Sequence, residues 1–383
     1  MTDMISALNE QDVQKTPETT AGFATLGRWW ATDVSTDVVP SADGAGDILR
    51  LLSAKSERPF FIIDDALVSQ PAFANILALE DKYLFAASAS EPRTGDVDAL
   101  VALLRDREKL PDAIVGVGGG SAMDLAKATG LCLVNPKSVA GYQGYGLDMK
   151  RGPDVWVLPT LAGAGAEVTP IAVLRGPERK LGINNNFAAP SIAVVDPGLT
   201  RGARKFNRFY SMMDCFFHHY EITKSVTSAP LAKSDALRGL ALARLVLSSD
   251  LAEFDETNAV RSSMASILGG SASIGGRVGA AHAISYGLSN ASPVLPHSVA
   301  VTISMFACAE LYDDSCGEAA DFLEINGMAR PRAGEYGINS SHVGLMTRTA
   351  IGMEKLWQSR FGDKWPDSVN EKFIEGIYRK ILE

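Results

Sequence analysis

Short apolar runs alternate with longer amphipathic stretches along the first part of the chain. Phe60–Ile63, Ala113–Val117, Val155–Leu158, Ile171–Leu174 and Ile192–Val195 are rich in Ile, Val and Phe and bounded by polar or glycine-containing turns. Such runs predict buried strands, and Ala86–Ser90 is a further candidate. Between them, Gly44–Leu52, the stretch ALVSQPAFANIL (66–77) and Asp96–Arg107 predict helices. Alternating strands and helices specify a parallel, doubly wound α/β domain. From about Leu199 the pattern becomes helical, at Phe209–Val226, Ser234–Leu247, Ala259–Gly279, Val299–Leu311 and a set from Ser341 onward. The expected organisation is an arm over 1–22, a dinucleotide-binding α/β domain over 23–198 and an all-α domain over 199–383. Phe23–Val39, with Trp29 and Trp30, is expected to form an edge strand or an interface.

Composition narrows the function classes. The 383 residues suffice for two cores, and 46% hydrophobic with 21% charged residues is ordinary for a globular protein. A net charge of −9 argues against a general nucleic-acid role. No apolar run is long enough to span a bilayer, and the start of the chain lacks the apolar core of a signal peptide. Cys132, Cys215, Cys308 and Cys316 show no CxxC spacing. Reduced thiols and a cytoplasmic location are expected.

The chemistry concentrates in a few places. The stretch DAIVGVGGGSAMDLAKATG (112–130) reads as strand, glycine turn and helix. Gly118, Gly119 and Gly120 would let a ligand approach the backbone, and the free N–H groups of the helix start favour a phosphate. Ser121, with Asp124 three residues on, is a candidate capping box. The spacing is neither GxGxxG nor a P-loop, so an ordinary tight turn stays open. Asp64 and Asp65 end a strand, where a carboxylate can hold a ribose hydroxyl; capping of the next helix is the alternative. Pro159–Thr160 opens a second small-residue loop containing Gly163 and Gly165, and Lys180 lies nearby in sequence.

Asp214 and His218 are four apart, which on a helix places both on one face. With His282 and His297 they form a candidate set of one oxygen and three nitrogen ligands, suited to Zn²⁺ or Fe²⁺. For each histidine alone, a hydrogen-bonded core position is the alternative. His219 should face elsewhere on the helix, and His342 reads as surface or cap.

These residues resemble the iron-containing (group III) alcohol dehydrogenases, a superfamily that includes glycerol dehydrogenase and dehydroquinate synthase. Gly118–Ser121 with Asp124 and Lys127 is similar to its GGGSxxDxxK signature. Pro159–Thr160, Gly163, Gly165, Glu167 and Thr169 resemble its PTTxGTGSExT loop. Asp214, His218, His282 and His297 fall on its four metal ligands, and the likeness runs over roughly residues 40–380. Further segments are similar to the 3-deoxy-manno-octulosonate 8-oxidases, a branch acting on the terminal hydroxyl of an eight-carbon sugar acid. They include Tyr142–Gly144, Gly165–Val168, Arg179–Gly182, Arg208–Tyr210, Met213–Cys215, His282–Ser289 and GMEKLWQSRFGDKW. Many simple alcohol dehydrogenases of the superfamily carry a second histidine four residues after the third ligand. Here that position is Tyr286, so proton relay should differ.

The resemblance implies a dehydroquinate synthase-like fold, with a Rossmann-like first domain and a helical second one. It implies NAD(P)-linked oxidation of a polyol or sugar acid, assisted by Fe²⁺ or Zn²⁺, in a homodimer that binds neither nucleic acid nor membrane. Gly118, Gly119, Gly120, Ser121, Asp124, Thr160 and Lys180 would meet the cofactor. Asp64 at the ribose would favour NAD over NADP, because a 2′-phosphate would meet a negative charge. Lys180 and Tyr286 would orient or relay at the reacting centre. Arg179, Arg204 and Arg208 are candidates for a substrate carboxylate, with surface arginines as the alternative. A lyase of the dehydroquinate synthase type is the rival enzyme; that class has Glu where Asp214 stands. A metal-free binding protein is the rival outside enzymes, and another polyol or an aminocyclitol remains open as substrate.

Overall fold

A computed structural model describes residues 16–25, 36–86 and 91–383. Trp29 and Trp30 lie outside the described residues, as do most of the expected arm and residues 87–90. The chain forms two compact units. One comprises Pro17–Ala203 together with Asp255–Ser263; the other includes Arg204–Phe254 and Met264–Glu383.

The first unit contains a six-stranded sheet: β1 (Asp37–Pro40), β2 (Pro59–Asp64), β3 (Lys82–Phe85), β4 (Ala113–Gly118), β6 (Asp154–Pro159) and β9 (Ile192–Val195). Its order is β1-β9-β6-β4-β2-β3, and every pairing is parallel. β2, β4, β6 and β9 are the runs with continuous Ile, Val and Phe, because strands covered by helices on both faces need apolar residues at every position. On one face Phe61, Ile63, Val115, Val117, Trp156, Leu158 and Val194 pack with Ile48, Leu52 and Phe73. On the other lies the helix Gly120–Cys132, which follows β4 and is buried around most of its circumference. It lies close because small residues line the contact. A Cβ on Gly116 would fall 2.9 Å from Ala126 Cβ, and one on Gly130 would fall 2.8 Å from a Val155 methyl.

The winding reverses between β2 and β4. After β2 the chain adds β3 on one side, then returns to build β4, β6 and β9 on the other. Ile63 pairs with Val117, and Gly118 with Pro159. The strand ends at Asp64, Gly118 and Pro159 therefore lie side by side at the reversal point, where open α/β sheets bind ligands.

Several details differ from the sequence expectations. The third strand is Lys82–Phe85, ahead of the expected Ala86–Ser90, most of which lies outside the described residues. Residues 66–77 do not form one helix. Pro71 interrupts them, leaving two 3₁₀ turns, Asp65–Leu67 and Pro71–Phe73, and the short helix Ala74–Leu77. A second sheet has β5 (Gly144–Tyr145) and β7 (Ile171–Arg175) flanking β8 (Lys180–Asn184). Lys180 is the first residue of β8.

The second unit is helical. Lys205–Lys224 packs along Pro230–Leu247, and Ala280–Ala291 packs between His297–Cys308 and Val343–Ile351. Glu256–Gly275 starts in the first unit, where Thr20 N–H donates to Glu256 Oε1 (2.6 Å), and continues into the second. All four cysteines are buried and unlinked. Among the described residues no helix is long and apolar enough to cross a membrane.

Candidate active site

In the first unit, the residues at the sheet's reversal point determine what can bind there. Gly118 has φ +149°, and a Cβ there would lie 2.7 Å from Asp64 Cβ and 2.8 Å from Ala122 Cβ. Only glycine fits this backbone and this spacing. Gly119 and Gly120 are open by contrast; their nearest Cβ neighbours would be Leu161 at 3.7 Å and Ala166 at 3.8 Å. The helix starts at Gly120 with Gly119 as its N-cap, and no side chain caps it. Its first N–H groups and the positive end of its dipole suit a phosphate. Thr160 is buried, and its N–H donates to Gly118 O (2.9 Å), which ties the second loop to the turn.

One expectation here needs correction. Ser121 is not a cap, because the helix begins one residue before it. Asp124 is engaged by neighbouring protein groups. Its Oδ1 pairs with Lys127 Nζ (2.9 Å), and its Oδ2 accepts from Val173 N–H (3.0 Å). The Lys127 ammonium is fully buried and also donates to Ala166 O (2.8 Å) and Ile171 O (2.6 Å). Asp124 and Lys127 thus anchor loop 160–170 and β7 to the helix. Asp64 Oδ1 accepts from Ala66 N–H (3.0 Å), so Asp64 does cap the following turn, and burial raises its pKa. Lys180 is buried and pairs with Glu91 (2.5 Å), which also binds Arg175 (2.8 Å). Arg179 is exposed in the turn between β7 and β8.

In the second unit, Asp214 and His218 project from one face of Lys205–Lys224, as their spacing predicts. His282 comes from the first turn of Ala280–Ala291. Single ligand atoms of Asp214, His218 and His282 all lie within 4.8 Å of one another. The His218 and His282 rings meet edge to face at 4.7 Å between centroids. His297 opens the next helix, with its ring 5.9 Å from His282 and 5.9 Å from Tyr286. Tyr286 is half-buried, one turn along from His282.

The electrostatics fit a cation. Asp214 Oδ1 and His282 Nε2 are buried 3.3 Å apart, each without a hydrogen-bond partner. Burial opposes ionisation of Asp214, but the His282 imidazole and the charges of His297 and His218 hold it well below the usual carboxylate range. His218 is pushed down to about 4, first by burial and then by the neighbouring His282 charge. His282 is drawn up to about 9; burial works against this, and Glu221 and Asp214 outweigh it. A carboxylate and imidazoles converging on one buried point are a donor set for a divalent metal.

The sequence reading missed Glu221. It is fully buried, and its Oε2 accepts from His282 Nδ1. Its position was legible, since Asp214, His218 and Glu221 share one helix face at i, i+4 and i+7. His219 faces away, as expected. It packs against Gly239, with Nε2 3.0 Å from Ala265 O. Arg208 donates to Leu251 O (2.9 Å) and lies over the Phe254 ring at 4.7 Å, while Arg204 is exposed.

Residues 36–197 match the family model for iron-containing alcohol dehydrogenases. The chain is 32% identical to long-chain-alcohol dehydrogenase 1 of Geobacillus thermodenitrificans over 203 residues. This stretch is 52% of the chain and spans about half, 51%, of that relative. The fold is that of several solved structures. A sulfoacetaldehyde reductase from Bifidobacterium kashiwanohense, solved with NAD⁺, superposes with a TM-score of 0.77 at 21% identity, covering 93% of this chain and 100% of that one. An iron-containing alcohol dehydrogenase from Thermotoga maritima gives 0.71 at 22% identity, covering 92% and 99%.

Proposed function

We propose that the chain is a metal-dependent, NAD-linked alcohol dehydrogenase acting on a polyol or sugar acid. The observation that carries the proposal is the convergence of Asp214, His218 and His282 within 4.8 Å at a buried point. Asp214, His218, His282 and His297 would hold one Fe²⁺ or Zn²⁺. Gly119, Gly120 and the uncapped helix start would take the cofactor pyrophosphate. When bound, the metal supplies Lewis acidity toward a substrate hydroxyl, and NAD supplies the hydride acceptor.

The chain's own residues do the rest. The buried Asp214 carboxylate offsets the cation's charge. Lys127 holds the Ala166 carbonyl, and with it the loop that follows Thr160. Asp64 at the reversal point would hold the ribose hydroxyls while capping its turn, and its charge would favour NAD over NADP. Tyr286, beside His297, is placed to take part in relaying the hydroxyl proton. Lys180 acts through its pair with Glu91. The superfamily resemblance supports a homodimer.

For the finer substrate, the segments similar to 3-deoxy-manno-octulosonate 8-oxidases favour the 8-hydroxyl of that sugar acid. The test is NADH formation by protein loaded with Fe²⁺ or Zn²⁺, offered 3-deoxy-manno-octulosonate beside glycerol and simple alcohols. Turnover of the sugar acid alone is the expected result. Turnover of glycerol alone would transfer the assignment to another polyol. His282→Ala should lose both bound metal and turnover; full turnover in metal-free His282→Ala would sink the mechanism.

A further inference from the structure

We infer that Glu221 is a positioning residue that couples metal affinity to the docking of the helix Ala280–Ala291. The inference rests on the metal reading above. His282 has two ring nitrogens with different environments. Nε2 faces Asp214 Oδ1, and Nδ1 meets Glu221 Oε2. A carboxylate on Nδ1 keeps the proton there and leaves the Nε2 lone pair for a cation, while raising the basicity of the ring.

Glu221 does a second job with its other oxygen. Oε1 accepts from Ala281 N–H (2.9 Å) and from the Tyr312 hydroxyl. The same hydroxyl accepts from Ala280 N–H (2.8 Å). The helix carrying His282 begins at Ala280, and its N-cap residue, Gly279, provides no side-chain cap. Glu221 and Tyr312 together serve the first two N–H groups of that helix. The negative charge also lies at the favourable end of its dipole. Arg360 covers the Tyr312 ring at 5.1 Å, closing the assembly on the far side. One buried carboxylate from Lys205–Lys224 therefore fixes the ring orientation of His282 and anchors the helix start that bears it. Asp214 and His218 come from the same helix as Glu221, so Asp214, His218 and His282 keep one frame of reference.

The test measures metal affinity without relying on turnover. Full-length wild type, Glu221→Gln and Tyr312→Phe are stripped, and Zn²⁺ is titrated in competition with a chromophoric chelator. Folding of each metal-free protein is followed by circular dichroism. Glu221→Gln keeps the shape and an acceptor for Ala281 N–H but loses the charge at His282 Nδ1. Its Zn²⁺ affinity should fall about 10–100-fold, the range seen when such partners of ligating histidines are removed. Tyr312→Phe leaves the His282 contact in place. It should lower the melting temperature of the metal-free protein and weaken Zn²⁺ binding less than Glu221→Gln does. A folded Glu221→Gln protein with wild-type Zn²⁺ affinity overturns the inference alone. If Glu221→Gln does not fold, Tyr312→Phe decides: wild-type melting temperature and Zn²⁺ affinity together overturn the coupling. Failure of the wild type itself to bind Zn²⁺ removes the metal reading and this inference with it.

Discussion

Two neighbouring glycines should respond to substitution in opposite ways. At Gly118, an alanine Cβ would lie 2.7 Å from Asp64 Cβ and 2.8 Å from Ala122 Cβ, on a backbone with φ +149°. Backbone strain of about 1–3 kcal/mol and overpacking of about 1–3 kcal/mol give a destabilisation of about 2–6 kcal/mol for Gly118→Ala. At Gly119, φ is −78° and the nearest atom to a new Cβ is 3.7 Å away. Gly119→Val should therefore change folding stability by no more than about 1 kcal/mol. Its two methyl groups, however, would stand over the uncapped N–H groups assigned to the pyrophosphate. Loss of at least about tenfold in NAD affinity, ~1.4 kcal/mol, is expected. Urea unfolding followed by circular dichroism gives the first quantity, and calorimetric NAD titration gives the second. A folded Gly119→Val protein that binds NAD as tightly as wild type would refute the phosphate assignment. A Gly118→Ala protein as stable as wild type would refute the packing argument at the reversal point.

Other substitutions test other parts of the structure. Lys127→Met leaves Asp124 buried without its counter-ion and should cost about 3–5 kcal/mol in urea unfolding; a loss under about 1 kcal/mol would show that the pair carries no such load. His219 is buried, and its pKa falls to about 3, chiefly through that burial. Its folded pKa is below its unfolded one, so the unfolded chain binds the extra proton first. Stability should therefore drop as pH falls through 6.5 toward 3, by up to about 1.4 kcal/mol per pH unit from this group. His219→Gln should flatten that limb of the urea-unfolding curve, and an unchanged limb would assign it elsewhere. Asp64→Ala should narrow the preference for NAD over NADP in binding titrations; an unaltered ratio would give the ribose to another group.

Legibility in the sequence followed how much of the outcome is local. β2, β4, β6 and β9 were readable because strands buried on both faces are continuously apolar. β8 was not, since Lys180, Gly182 and Asn184 break that pattern and its place depends on pairing with β7. The third strand lies a few residues before its expected place because Lys82 and Tyr83 look polar beside Phe85–Ala87. Ser121 has the right chemistry for a cap, but the helix starts at Gly120, and a one-residue shift moves the cap. Asp124 and Lys127 belong to a recognisable motif, and only the fold shows that they brace a loop. The Asp214–His218 pair was visible through helical spacing. Glu221 continued the same row, yet its partners, His282 and Tyr312, lie 61 and 91 residues further along the chain.

The segment Asp255–Ser263 changes how this protein can be inherited and made. It belongs with Pro17–Ala203 although the intervening Arg204–Phe254 belongs to the other unit. The α/β unit is therefore not a contiguous cassette that recombination could move with a single pair of breakpoints. On the ribosome it remains incomplete until residue 263 has emerged, after the whole of Lys205–Lys224, with Asp214, His218 and Glu221, has already been synthesised. A gene fragment ending at Ala203 would leave Glu18 and Thr20 without the hydrogen-bond partners they find at Thr257 and Glu256.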